Sequence, residues 1–314
     1  MKSFDALLNK IEEYQTIIIL RHIHPDYDAL GAQYGLARWL QRRYPQKRIV
    51  ASGHEPSIAP SFLPNPEEIS LEDCVNSLAI AVDTSNYARI DGKDIWDTCK
   101  ERMFFDHHVK GDSLTEYEYV DEHTASCSEI ITDFIRTFEK EPVALEVAEP
   151  LYCGIISDSI RFSINTTTAY TLKMASYLLE SQLDINKLNN QVFSMSVNLY
   201  RFSNHLREIA NYDTKGFVYA IINKEDYVPY HVEAGPAKAK VNVFGEIRGI
   251  QTWAVFIEEE DGVYSASLRS HSMTISDIAN QFGGGGHLCA SGISKLSRNQ
   301  CDEVIELLKQ RVLG

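Results

Sequence analysis

The chain has no basic run or basic tail. Its 30 Lys and Arg stand against 44 Asp and Glu, a formal net charge of −14. Tight non-specific binding of long DNA or RNA rests on many cationic contacts to phosphates, so no long nucleic acid partner is expected. Cysteine is sparse and unpatterned: Cys74, Cys99, Cys127, Cys153, Cys289 and Cys301 include no CxxC pair. That argues against a disulfide framework and against a thiolate zinc site. The N-terminus, MKSFDALLNK, has no apolar core of a secretory signal. No apolar run approaches the ~20 residues that span a bilayer. Internal repeats are absent, and the one low-complexity stretch is four glycines. These absences set the expectation of a soluble, cytoplasmic protein with reduced thiols and no membrane partner.

What is present suits two domains. The 314 residues exceed one typical domain, and 44% of them are apolar, enough for two cores. Phe4, Leu7, Leu8 and Ile11 share a helical face over residues 3–14. Ile17-Ile18-Ile19-Leu20 is short, continuous and β-branched, which predicts a strand buried on both faces of a parallel sheet. A helix is expected over Ala29–Arg42, and further strands over Arg48–Ala51, Leu78–Val82 and Met103–Phe105. Helices follow over about 124–138, 143–156 and 167–181. Strands alternating with helices indicate an α/β domain over residues 1–188 with a mostly parallel sheet.

The pattern then changes. Residues 189–214 read as a polar helical connector. Residues 215–314 read as a smaller α+β domain, with a strand over Phe217–Ile222 and a hairpin of Gln251–Ile257 and Val263–Arg269 around Asp261-Gly262. A short helix over Ser276–Phe282 precedes Gly283-Gly284-Gly285-Gly286-His287, and a last helix spans Arg298–Val312.

Acidic and imidazole residues recur where core elements end. The first strand runs into Arg21-His22-Ile23-His24-Pro25-Asp26-Tyr27-Asp28. Two apart, Asp26 and Asp28 turn the same way in an extended loop; the alternative is a turn in which Asp caps the next helix. Asp83 follows the strand Leu78–Val82, where Asp is also an ordinary turn former. Asp106-His107-His108 follows Phe104-Phe105, and paired histidines behind phenylalanines are hard to explain as core. Asp158 interrupts an apolar segment near a helix end, as a ligand or as a cap. The case lies in coincidence: a doubly wound sheet brings strand ends to one edge, where ligands bind. Carboxylates crowded there repel one another, and divalent cations remove that penalty. A carboxylate–imidazole set suits manganese, with magnesium second. Two such ions activate water and stabilise charge on phosphate oxygens. No GxSxG elbow or nucleophilic cysteine motif competes with this reading.

Taken together, His22-x-x-Pro25-Asp26-x-Asp28, Asp83-Thr84, Asp106-His107-His108 and Asp158 resemble the DHH phosphoesterase superfamily. Phe282-Gly283-Gly284-Gly285-Gly286-His287 resembles the DHHA1 domain that follows it in one subgroup, so the resemblance covers almost the whole chain. Length and spacing look like the stand-alone nanoRNase/pAp phosphatase group, members of which cleave linear pApA and some cyclic di-AMP. The resemblance implies one metal on His22, Asp26 and Asp83. It implies a second on Asp28, Asp83, His107 and Asp158, with Asp83 bridging two manganese ions. It implies that His108 contacts the scissile phosphate and that Asp106 orients the histidines. Arg89 and Arg161 are weaker phosphate candidates, with surface ion pairs as the alternative. In the second domain Arg269, Gly284, Gly285, Gly286 and His287 are candidates for holding substrate, since bare glycine amides and an arginine fork both suit anionic oxygens. A homodimer is compatible with the resemblance.

Two positions depart from the family pattern. Ser159-Ile160 stands where Thr-Gly often follows the last Asp, and Ala32 where Ser is frequent. Neither removes a ligand, but Ile160 bears on substrate preference. The expected activity is hydrolysis of dinucleotides such as pApA and of short oligoribonucleotides to mononucleotides, with pAp phosphatase activity alongside. A pyrophosphatase or polyphosphatase, and a non-catalytic nucleotide sensor, are the alternatives.

Overall fold

The computed structural model describes residues 3–54, 56, 63–109, 111, 113–213 and 215–313. They divide into two units, Met1–Ser194 and Met195–Gly314. The first holds β1 (Thr16–Leu20), β2 (Arg48–Ala51), β3 (Leu78–Val82), β4 (Glu101–Asp106) and β5 (Tyr117–Val120). All pair in parallel, in the order β2-β1-β3-β4-β5. Its helices are α1 (Phe4–Glu12), α2 (Tyr27–Arg43), α3 (Leu71–Cys74), α4 (Lys93–Thr98), α5 (Cys127–Phe138), α6 (Leu145–Asp158), α7 (Ala169–Leu179) and α8 (Ile185–Phe193).

The continuous apolar runs have a physical cause. Side chains alternate along a strand, and each face of this sheet meets a different core. Ile17, Ile19, Leu78, Ile80, Val82, Met103 and Phe105 pack with Leu40, Phe134 and Leu151 on one side. Ile18, Leu20, Ala79, Ala81 and Phe104 pack with Ile95 and Trp96 on the other. Strands in parallel register end at one edge, so His22, Asp83 and Asp106-His107-His108 leave the sheet together. The strand order reverses between β1 and β3, where open α/β sheets form crevices.

Helix α2 lies close against α6. A Cβ on Gly31 would stand 2.5 Å from the Pro150 carbonyl oxygen, and one on Gly154 would stand 2.0 Å from Ser128 Oγ and 2.8 Å from Asp28 Oδ1. Pro150 sits inside α6 and lacks an N–H, which frees the carbonyl of Glu146. Arg38 Nη1 donates to that carbonyl at 2.7 Å.

The second unit has α9 (Val197–Ile209), β6 (Asn211–Asp213), β7 (Phe217–Ile222), α10 (Lys224–Tyr227), α11 (Ala234–Lys238), β8 (Thr252–Glu260), β9 (Val263–Ser270), α12 (Ser276–Gln281), β10 (Gly285–His287), β11 (Ala290–Ser297) and α13 (Arg298–Leu313). Its mixed sheet has the order β10-β11-β9-β8-β7-β6, with only β7 and β8 parallel. Phe256, Leu268, Ile293 and Val304 fill one face, and Phe202, Val218, Phe244 and Trp253 the other. The α/β class with a parallel first sheet and an α+β second part matches the sequence expectation. Of residues 189–214, read as connector, the described ones comprise the end of α8, all of α9 and β6, and the division between units falls among them. The glycine run differs from a plain loop: Gly285 to His287 forms an edge strand against β11. No helix among the described residues is long and apolar enough to cross a membrane.

Candidate active site

The first unit gathers its acidic and imidazole residues into three overlapping groups. His22, Asp26 and Asp83 form one, Asp28, His107 and Asp158 a second, and Asp83, His107 and His108 a third; within each, the ligand atoms lie within 4.8 Å of one another. Asp83 joins them. Its Oδ2 is 3.6 Å from His22 Nε2. Its Oδ1 is 3.5 Å from His107 Nε2 and 3.6 Å from His108 Nδ1. One carboxylate thus turns an oxygen to each side of the cluster.

Each position has a local origin. Asp83 follows β3 in the left-handed region, with φ +54°, and its N–H donates to the Phe105 carbonyl. Asp26 and Asp28 depart from the extended-loop expectation. Asp26 is the N-cap of α2, and its Oδ1 accepts from the Asp28 and Ala29 amides at 3.0 Å. Its other oxygen stands 3.8 Å from His22 Nε2, so the cap and the cluster use different lone pairs. Asp28 lies in the first turn of α2 and is fully buried. Its carboxylate accepts from the Cys127 and Ser128 amides at 2.7 and 2.8 Å, which is where an α-helix favours an anion. The start of α5 thereby fixes Asp28 across about a hundred residues of chain, an arrangement that sequence reading did not foresee. Asp158 ends α6, with Oδ2 3.5 Å from His107 Nε2. Asp106 accepts from His108 Nδ1 at 2.8 Å.

The electrostatics ask for cations. Asp83 is 2% exposed, and its Oδ1 has no hydrogen-bond partner. Burial pushes its carboxyl well above the usual range, and Asp28, Asp26 and Asp106 push it further. Asp158 is raised in the same way, by burial and then by Asp28 and Asp26. Burial raises Asp28 as well, although His107 opposes it. His107 is raised: burial disfavours its cation, but Asp28 and Asp158 outweigh that. A buried, orphaned carboxylate oxygen costs free energy unless something positive meets it. The donor set of carboxylates and imidazoles, facing inward and free of thiolate, fits divalent metal ions.

The second-domain candidates also fall into a pattern. Arg269 on β9 is in register with Ala290 on β11, and Ala290 with His287 on β10. Residues directly opposite share a face, so Arg269 and His287 flank the small Ala290. Trp253 on β8 continues the row. Arg269 Nη1 donates to the Leu268 carbonyl, and no carboxylate pairs with the guanidinium among the described residues. Burial alone lowers its pKa. The glycines are required by close approach: a Cβ on Gly284 would stand 2.2 Å from the Gly292 carbonyl oxygen, and one on Gly286, at φ +139°, 2.5 Å from that of Ala290. Ala290 gave no signal in the sequence, because its importance lies only in the register.

A parallel sheet with acidic and histidine ligands crowded on its carboxyl edge defines a class of metal-assisted phosphoester hydrolases. The chain belongs to the DHH phosphoesterases within that class. Residues 16–155 match the DHH family, N-terminal domain, and residues 214–313 match the DHHA1 domain. A probable bifunctional oligoribonuclease and PAP phosphatase NrnA from Streptococcus mutans is 34% identical, over 98% of this chain and 99% of its own. The bifunctional oligoribonuclease and PAP phosphatase NrnA of Bacillus subtilis is 33% identical, over 95% of both chains. An exopolyphosphatase-related protein from Bacteroides fragilis superposes with a TM-score of 0.86 at 21% identity, over 98% of this chain and 95% of its own. At that identity the likeness speaks for the fold.

Proposed function

We propose that this phosphoesterase hydrolyses dinucleotides such as pApA and short oligoribonucleotides to mononucleotides, and also removes a phosphate from pAp. The observation that carries the reading is Asp83, with one oxygen toward His22 and the other toward His107. Two cations would sit there, one on His22, Asp26 and Asp83, the other on Asp28, Asp83, His107 and Asp158. Manganese suits that donor set best, with magnesium second. When bound, the ions activate water and take up negative charge on phosphate oxygens.

The chain's own groups do the rest. The α5 amides hold Asp28 in place. Asp106 fixes the ring of His108, which contacts the scissile phosphate. In the second domain the fork of Arg269, together with His287 and the bare backbone of Gly285 and Gly286, holds a terminal phosphate; Gly284, whose amide already donates to the Ala279 carbonyl at 2.9 Å, shapes the turn beside them. The names of the relatives support the substrate class, and so does a chain of net charge −14 without a basic track. A cytoplasmic location goes with substrates of this kind.

The test is hydrolysis of pApA, a pentanucleotide RNA and a long RNA in Mn2+. We expect AMP from the first two and a rate that falls with length. A protein loaded with Mn2+ that cleaves neither short substrate contradicts the reading.

A further inference from the structure

Arg89 is tied to the His22 segment by its backbone. Its N–H donates to Asn86 Oδ1 at 3.2 Å, closing the short turn Tyr87–Arg89. Its carbonyl accepts from the Ile23 amide at 2.8 Å, and the following Ile90 bridges to His22. One residue on, the Asp91 amide donates to the Arg21 carbonyl at 2.8 Å. Beneath this connection Arg21 is wholly buried and pairs with Asp91 at 2.7 Å. A buried ion pair therefore holds the Arg89 turn against the strand end that carries His22.

The side chain of Arg89 has no comparable tie. No carboxylate oxygen comes within ion-pair distance of it among the described residues, although the chain has 44 acidic residues. The surface ion pair that sequence left open is not what the structure holds. Nη2 stands 3.1 Å from His22 Nδ1, but a guanidinium can only donate. The same Nδ1 lies 2.7 Å from the Ile23 carbonyl oxygen, and that contact needs a ring N–H. With the proton on Nδ1, the lone pair of Nε2 faces Asp26 and Asp83, as cation ligation requires. In that tautomer His22 offers Arg89 nothing to donate to. A partly exposed guanidinium then stands beside the cluster with unused N–H groups.

We propose that Arg89 is a catalytic residue that donates to a non-bridging oxygen of the phosphate being cleaved. This rests on the phosphoesterase reading above. The missing acceptor is anionic, must lie next to the cations and must be absent from the chain itself, and a phosphate oxygen meets all three requirements. Arginine binds such oxygens with two parallel donors.

The test compares wild type with Arg89→Ala and Arg89→Lys in three measurements: kcat/KM for pApA in Mn2+, Mn2+ affinity by calorimetry, and affinity for 5′-AMP. Arg89→Ala should lower kcat/KM by roughly 10²–10³-fold, the usual effect of removing one aimed donor. It should weaken 5′-AMP by about tenfold or more. Mn2+ should bind as tightly as before or tighter, because a positive charge beside the ligands is gone. Arg89→Lys should recover part of both losses. Activity and 5′-AMP affinity within twofold of wild type would overturn the proposal. So would a loss of Mn2+ affinity that excess Mn2+ makes good in kcat, since Arg89 would then only position His22. A wild type that does not cleave pApA would sink the substrate reading, and the 5′-AMP comparison would still decide the role of Arg89.

Discussion

Ile160, Arg161 and Phe162 follow Asp158 with φ of +46°, +57° and +64°. Three consecutive non-glycine residues in the left-handed region are strained, and a β-branched isoleucine is the least suited of all. Ser159 Oγ accepts from the Phe162 amide, and the Arg161 guanidinium lies 3.8 Å above the Phe193 ring, so local contacts hold the turn. Such strain concentrates at functional sites. The family resemblance leads one to expect glycine where Ile160 stands, and the backbone is the one glycine takes at little cost. The strain was invisible in the sequence, which showed the substitution but not the φ that makes it costly. Ile160→Gly should therefore stabilise the protein by about 1 kcal/mol, the left-handed penalty less glycine's greater freedom in the unfolded chain. Urea unfolding would measure this as a higher midpoint at unchanged slope. A lower midpoint would mean that the exposed Ile160 side chain makes stabilising contacts in this turn.

At the scale of elements, legibility followed burial. Strands β1, β3 and β7 could be read because apolar cores on both faces leave nearly unbroken apolar runs, and β2 because Ile49-Val50-Ala51 is a short buried run of the same kind. Strand β5 could not: Tyr117-Glu118-Tyr119-Val120 lies at the sheet edge, mostly half-buried, and has no such run. Strand β10 is glycine and histidine held by the close approach of β11, which no propensity signals. In the same way, the convergence of Asp28, Asp83, His107 and Asp158 was legible from the ends of strands and helices. The hold of α5 on Asp28 was not, because both donors are backbone amides. That hold has a steric condition. Gly154 of α6 leaves just enough room for Asp28 and Ser128, and a Cβ there would meet both. Gly154→Ala should cost about 1–3 kcal/mol, as overpacked sites do. It should also weaken Mn2+ binding by displacing the Asp28 carboxylate. Thermal unfolding with and without Mn2+ checks both: the variant should melt lower and gain less from the metal. An unchanged gain would show that α6 moves aside without disturbing Asp28.

Over the whole molecule, charge and function look opposed. A chain of net charge −14 acts on anionic phosphates, and it gathers four aspartates, Asp26, Asp28, Asp83 and Asp158, in the metal centre proposed here. Bound cations would resolve the conflict by reversing the sign where the phosphate is to sit. Arg89 and Arg269, neither paired with a carboxylate among the described residues, add fixed positive charge at separate places in the chain. Small substrates need no more than this, whereas a long polymer would need a basic track that the sequence lacks. Asp83 is central to that metal centre, because it turns one oxygen toward His22 and the other toward His107. Isothermal titration of metal-free protein with Mn2+ tests this most directly. Wild type should take up two ions per chain, and Asp83→Ala, its fold verified by circular dichroism, should bind neither tightly. Fewer than two ions in wild type, or two tight ions in a folded Asp83→Ala, would contradict the account.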